Sequence, residues 1–209
     1  MRLYSYVVAR DFGFAPNPFD GVCTLATCKP RIRQAAAIGD WIVGLASMED
    51  SHQPRIVYVM RVDETLSYNQ YWRDLRFSMK RPSRAGSLKQ ALGDNIYHQD
   101  VNGDWSQCDS HHSLEDSSPN LLNIIADTQS TRVLVSERFA YWGNTAPLVP
   151  VEFLDRDGHT LVIGRNHRSN FPQQFVNAFV AWFENLDAQG YLGEPYRWSR
   201  PKAAWARIQ

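Results

Sequence analysis

Residues 38–64, IGDWIVGLASMEDSHQPRIVYVMRVDE, decide the fold. Gly39-Asp40 ends a run of small residues, and residues 41–45 are then short and apolar, as a strand requires. A polar loop containing Pro54 follows. Residues 56–62 are dense in Val, Ile, Tyr and Met, side chains that fit a pleated, buried surface. The two runs predict neighbouring strands of one central sheet, on which much of the remaining apolar sequence must pack.

Working outward, residues 3–9 (LYSYVVA) predict a first strand. Residues 10–21 (RDFGFAPNPFDG) form a loop whose three Phe are expected over a pocket or under the sheet. Pro30 can open a helix over 31–37, since proline suits a first helical turn, with Gly39 as its stop. Residues 66–77 (LSYNQYWRDLRF) fit a helical period, with Ser67 as cap. Residues 88–92 suit one helical turn ending at Gly93. Residues 94–123 are polar, acidic and without period, a long connection of the kind that is functional or disordered, although Tyr97 and Trp105 argue for partial order. Residues 133–135 and 160–164 predict two further strands. After Pro172, the face Phe175, Phe179, Trp182, Phe183 and Leu186 predicts a helix buried on the sheet, stopped by Gly190. The tail from 191 is basic and aromatic and is expected along the surface. No internal repeat or long linker divides the chain.

A length of 209 residues with 44% hydrophobic and 12% aromatic content suits one domain with a sizeable core. The formal net charge is zero but unevenly spread. Residues 73–89 carry six bases and one acid, residues 94–127 seven acids and no Lys or Arg, and residues 197–207 four bases and no acid. Either a basic patch faces a polyanion, or the opposite blocks attract one another across the fold. Arg outnumbers Lys 18 to 4, which suits bidentate recognition of phosphate or base edges. Three cysteines, an odd number, predict reduced thiols and a cytoplasmic setting, and no apolar run approaches the ~20 residues a membrane helix needs.

Cys23, Cys28 and Cys108, with His111 or His112, lack the tight Cys-pair spacing of structural zinc sites, so no metal is expected and buried free thiols are the default. The densest polar cluster is CDSHHS at 108–113. Asp109, His111 and His112 are the candidate acid and base, because imidazole titrates near neutrality; an ordered polar lid without chemistry fits the same residues. No phosphate loop, dinucleotide fingerprint, deaminase motif or serine elbow is present, and no cofactor is indicated.

A polyanion groove needs cations and a base pocket needs flat rings. Arg73, Arg76, Lys80, Arg81 and Arg84 are the candidates for a nucleic-acid backbone. Arg10, Asp11, Lys29 and Arg31 would line one side of a ligand site. Asp40 and Trp41 stand at a strand start, and Tyr141, Trp142, Gly143, Asn144, Arg165 and Asn166 would complete it. Gly143 would let a ligand approach the backbone closely.

The segments YSYVVARDFGFAPNPFDGVCTLATCKPRIR (4–33), GDWIVG (39–44), DNIYH (94–98), DSHHS (109–113), RFAYWGNTAPLVP (138–150) and GRNHRSNF (164–171) resemble the bacterial nucleotide modification associated domain 2 family across almost the whole chain. The resemblance implies a base-modification or phage-defence context, without an assigned reaction. It is also similar to PUA-like folds, implying an α+β domain built on a mixed β-barrel or strongly curved sheet flanked by helices, with a base held in an aromatic pocket. The expected function is binding of a modified base or nucleotide, with DNA as partner. One alternative is an enzyme acting on such a base through Asp109, His111 or His112. The other is a protein-interaction module that joins a partner from a modification or defence system.

Overall fold

A computed structural model of the chain describes residues 1–164 and 166–199. In chain order it contains β1 (Leu3–Val8), β2 (Cys23–Leu25), α1 (Pro30–Ala35), β3 (Trp41–Ala46), β4 (Ile56–Arg61), β5 (Glu64–Ser67) and α2 (Tyr68–Arg73). After a 3-10 segment at Leu75–Lys80 come α3 (Leu88–Ala91), β6 (Tyr97–Gln99), β7 (Trp105–Gln107), α4 (Leu121–Thr128), β8 (Arg132–Ser136), β9 (Phe139–Tyr141), β10 (His167–Arg168), α5 (Gln173–Asn185) and β11 (Gly190–Tyr191).

The main sheet has six strands in the order β10-β1-β3-β4-β9-β11. β3 and β4, the two runs of residues 38–64, pair antiparallel at its centre, and β1 lies parallel to β3. A second sheet runs β2-β8-β5, and β6-β7 is a hairpin. None of these sheets closes on itself among the described residues. Of the two forms expected from the resemblance, the closed barrel is not formed among these residues, and the α+β arrangement is built on open sheets.

Alternation along the central strands builds two cores. Leu3, Trp41, Val43, Leu45, Ile56 and Val59 face Phe175, Val176, Phe179 and Phe183 of α5. Tyr4, Tyr6, Val8, Ile42, Tyr58 and Met60 face Ile32 of α1, Ala36 just after it, and Leu25 and Leu134 from the second sheet. A third core holds Phe12, Phe14 and Phe19 with Tyr68, Tyr71, Tyr97 and Ile124. The Phe-rich loop is thus folded in, under the second sheet, as its sequence requires.

Four local expectations change. α1 ends at Ala35, with Ala36 extended, and Gly39 instead turns the chain into β3 at φ +88. α5 ends at Asn185, before Asp187 takes a left-handed φ of 49, and Gly190 opens β11. Residues 160–164 are not a strand, because side chains occupy their carbonyls: Ser5 Oγ donates to Leu161 O at 2.6 Å and Arg168 to Thr160 O at 3.0 Å. Residues 94–123 are ordered by the β6-β7 hairpin and by buried Asp94, which accepts from Thr24 and Tyr71 hydroxyls at 2.7 Å each. No helix among the described residues is long and apolar enough to cross a membrane.

Candidate active site

β2 leads through Ala26 and Thr27 to Cys28-Lys29-Pro30. Cys28 and Lys29 both adopt left-handed backbone, φ 55 and 42, and Pro30 then starts α1. Two successive non-glycine residues in this region cost on the order of 1–3 kcal/mol each and persist only where surrounding bonds hold them. The Cys28 N–H donates to Asp127 Oδ1 at 2.7 Å, and the Cys28 carbonyl accepts from Arg33 Nε at 2.8 Å. Arg33 is fully buried and also donates to the carbonyls of Ser130 and Arg132, at 2.7 and 2.8 Å, and to that of Asp127. One guanidinium, presenting its five donors in a fixed fork, therefore ties α1 to the end of α4 and the start of β8.

This turn places Cys28 Sγ 3.7 Å from His112 Nε2. His112 Nδ1 lies 2.8 Å from Asp127 Oδ2, which also accepts from Tyr97 OH at 2.9 Å. With Nδ1 donating to the carboxylate, the tautomer leaves Nε2 for the sulfur. Asp127 thus fixes both the ring that faces the thiol and the backbone that carries it. His112 is held from behind as well, its carbonyl accepting from Asn123 Nδ2 at 2.8 Å and Gln107 Nε2 at 3.3 Å. Burial opposes charge on His112, but the Cys28 sulfur and the Asp127 carboxylate outweigh it and hold the ring's pKa at about 10.

The thiol opens on a pocket of about 280 Å³ lined by Val8, Ala9, Arg10, Phe12, Phe14, Ala15, Cys28, Lys29, His111 and His112. Its size suits one small planar ligand group. Lys29 Nζ is steadied by Val7 O at 3.3 Å and sits 4.6 Å over the Tyr6 ring; burial lowers its pKa. His111 packs between Phe12 and Phe14, at centroid separations of 4.7 and 5.3 Å, and its Nε2 has no hydrogen-bond partner. Burial, then the charges of His112, Arg10 and Arg84, push its pKa down to about 3, so this ring is neutral. Two adjacent histidines are therefore driven apart by their surroundings. No group of three or more His, Cys, Asp or Glu among the described residues is arranged to hold a metal ion.

A family model for nucleotide modification associated domain 2 matches residues 1–202. The chain belongs to the nucleotide modification associated domain 2 family. No curated protein and no solved structure matches it, so the PUA-like likeness has no structural neighbour behind it.

On this member of the family the sequence-derived residues scatter. His112 is in the Cys28 relay and His111 is a pocket wall, whereas Asp109 pairs with Arg84 at 2.5 Å and is not among the pocket's lining residues. Arg10 and Lys29 line the pocket; Arg31 and Asn166 line a neighbouring groove with Lys29. Asp11 is buried and accepts from Tyr141 OH at 2.5 Å and Tyr196 N at 3.1 Å, with burial raising its pKa to about 6. Asp40 accepts the backbone N–H groups of Arg2 and Ala37, at 2.7 and 3.0 Å. Trp41 and Trp142 both pack edge-on to Phe183 of α5. Gly143 approaches protein backbone instead of a ligand, since a Cβ there would lie 2.1 Å from Glu194 O, the carbonyl that accepts from Asn144 N. Arg165 lies outside the described residues.

The expected nucleic-acid stripe is largely engaged internally. Arg76 pairs with Glu64 and Asp74 at 3.0 and 2.7 Å. Arg81 lies over the Trp72 ring and donates to its carbonyl. Lys80 is buried, donating to Asn17 Oδ1 at 2.7 Å, and Arg73 is exposed at an open groove shared with Glu64 and Asp74. Opposite charge blocks meet at Arg84–Asp109.

Sequence reasoning missed the Cys28–His112 contact and Asp127 behind it. The available signal was a cysteine two residues before the Pro that opens a helix; the aspartate is 99 residues away and carries no local mark.

Proposed function

We propose that this protein is a cysteine-dependent enzyme acting on a nucleotide or on a base in nucleic acid, in the modification context of its family. The Cys28 Sγ–His112 Nε2 contact, backed by Asp127 and opening on a pocket, carries the reading. The thiolate is the form that attacks carbon electrophiles, and His112 Nε2 is placed to exchange a proton with the sulfur. Cys28 then bonds covalently to an electrophilic carbon of the substrate, and His112 passes its proton to the atom that gains charge or departs. Asp127 keeps His112 charged and in the orientation this needs. Phe12, Phe14 and neutral His111 give flat surfaces for a base, and Arg10 and Lys29 supply positive charge at the mouth. This gives the enzyme alternative of the sequence reading a nucleophile it lacked and a different carboxylate, with His112 kept as the acid–base group.

The same pocket supports a second reading, binding of a modified base without turnover, through its two cations and two Phe rings. Incubating the protein with nucleotides and with oligonucleotides carrying modified bases, then weighing it intact, separates the two. The enzyme reading expects a substrate-derived mass on Cys28, absent in Cys28→Ala, and iodoacetamide labelling of Cys28 that slows in His112→Ala. Labelling unchanged in His112→Ala, together with undiminished binding by Cys28→Ala and no adduct, would overturn it in favour of the binding reading.

A further inference from the structure

Beside the thiol pocket lies a second cavity, of about 320 Å³, lined by Lys29, Pro30, Arg31, Ile32, Asn166 and His167. Lys29 lines both spaces. The groove forms where α1 begins against β10, the edge strand that pairs His167 with Tyr6 of β1. Its polar side chains are two cations, an amide and an imidazole, with no carboxylate among the lining residues. Neither Lys29 nor Arg31 is in an ion pair among the described residues, in contrast to Arg76, Arg84 and Arg138, which all are. His167 is packed beside the Tyr4 ring, at 6.3 Å, and is half-buried. Its pKa is lowered by burial and then by the charges of Arg31 and Lys29.

We propose that this groove is a phosphate subsite, holding the phosphate of the substrate whose base or reactive carbon sits at Cys28. The assignment rests on the enzyme reading only for the word substrate; the groove's chemistry stands separately. Arg31 supplies a planar, bidentate fork for phosphate oxygens. Lys29 supplies a point charge between the two spaces, and neutral His167 with Asn166 supplies hydrogen-bond donors. A phosphate there lies next to the pocket, with Lys29 on the boundary between phosphate and base, which is the relation the two ends of a nucleotide require.

The test uses inorganic pyrophosphate and the full chain, following the imidazole NMR signals at constant ionic strength. Pyrophosphate is expected to move the His167 signal saturably in the wild type and in Cys28→Ala, while His52, His98 and His159 stay still. Arg31→Glu, checked for folding by its melting curve, is expected to weaken this binding roughly tenfold or more, the loss of one charge-assisted contact. A deoxynucleoside 5′-monophosphate and a short single-stranded DNA then compete with pyrophosphate. A steeper salt dependence for the DNA assigns the phosphate to a nucleic-acid backbone, and a shallow one shared by both assigns it to a free nucleotide. No saturable shift at His167, equal shifts at all histidines, or unchanged affinity in Arg31→Glu would overturn the subsite. A responsive His167 with an unreactive Cys28 would remove the covalent chemistry and leave the groove in place.

Discussion

Two histidines one residue apart end with pKa values near 10 and near 3, and the pH dependence of stability must show both. An unfolded histidine titrates near ~6.5. The folded value of His112 is raised, so its contribution is fully present below ~6.5 and is lost as pH rises towards 10. His111 is lowered, so its contribution is present above ~6.5 and is lost as pH falls towards 3. Asp11, raised to about 6, adds stability below the ordinary carboxylate range of ~3.9 that fades as pH climbs through 6, partly masking the His111 effect. Urea midpoints across pH should therefore be compared between variants. His112→Gln is expected to flatten the fall between pH 7 and 10, and His111→Phe to flatten the fall below pH 6 while leaving the alkaline limb unchanged. Asp127→Asn keeps the shape but removes the charge that orients His112. If Cys28 turns over substrate, this change should lower kcat by about 10²–10⁴, by analogy with neutralised triad carboxylates, and should shift the Cys28 alkylation profile. Unchanged alkylation in Asp127→Asn would show that His112 acts without it.

Short elements carry the site, and their ends decide how well it is held. Ser67 accepts from Gln70 N at 3.2 Å while Gln70 Oε1 accepts from Ser67 N at 2.8 Å, a complete capping box at the start of α2. α2 in turn positions Tyr68, whose hydroxyl donates to Ala26 O at 2.7 Å on the approach to Cys28. Ser67→Ala should cost about 1 kcal/mol of stability, read as a lower denaturant midpoint at constant slope. Ser67, Pro30 and the apolar runs of β3 and β4 were legible because caps, proline and short β-rich runs are local signals. The setting of Cys28 against His112 was not legible, since it depends on Asp127 and Arg33 bonds that span the fold. Arg33 could be seen as a cation but not as a buried brace, because burial of arginine requires four carbonyls supplied by three different elements and loops. The Gly39 and Gly190 readings failed for the opposite reason: both glycines do serve turns, but turns one step later than the helix ends.

At the scale of the molecule, the C-terminal segment closes the site from a distance. Arg197 N donates to Asp11 O at 3.0 Å, and Arg197 pairs with Glu49 and Asp50. Trp198 Nε1 donates to Phe12 O at 2.9 Å, and its ring stacks on Phe19 at 5.6 Å. Phe12 and Phe14 wall the Cys28 pocket, so the tail clamps the loop that shapes it. Trp198→Ala removes the stack and the indole hydrogen bond together. For partial loss of a large aromatic, a cost of about 2–3 kcal/mol is expected, or a Tm lower by roughly 5–10 °C in a chain of this size. Trp198→Phe keeps the stack and loses only the bond, for about 1 kcal/mol. The clamp makes a sharper demand at 25 °C, where both variants remain folded. Labelling of Cys28 by a bulky maleimide should rise relative to iodoacetamide in Trp198→Ala, and to a smaller degree in Trp198→Phe, because a loosened Phe12 loop admits the larger reagent. A ratio unchanged from wild type, with Tm lowered, would make the tail a stabilising strap with no hold on the pocket.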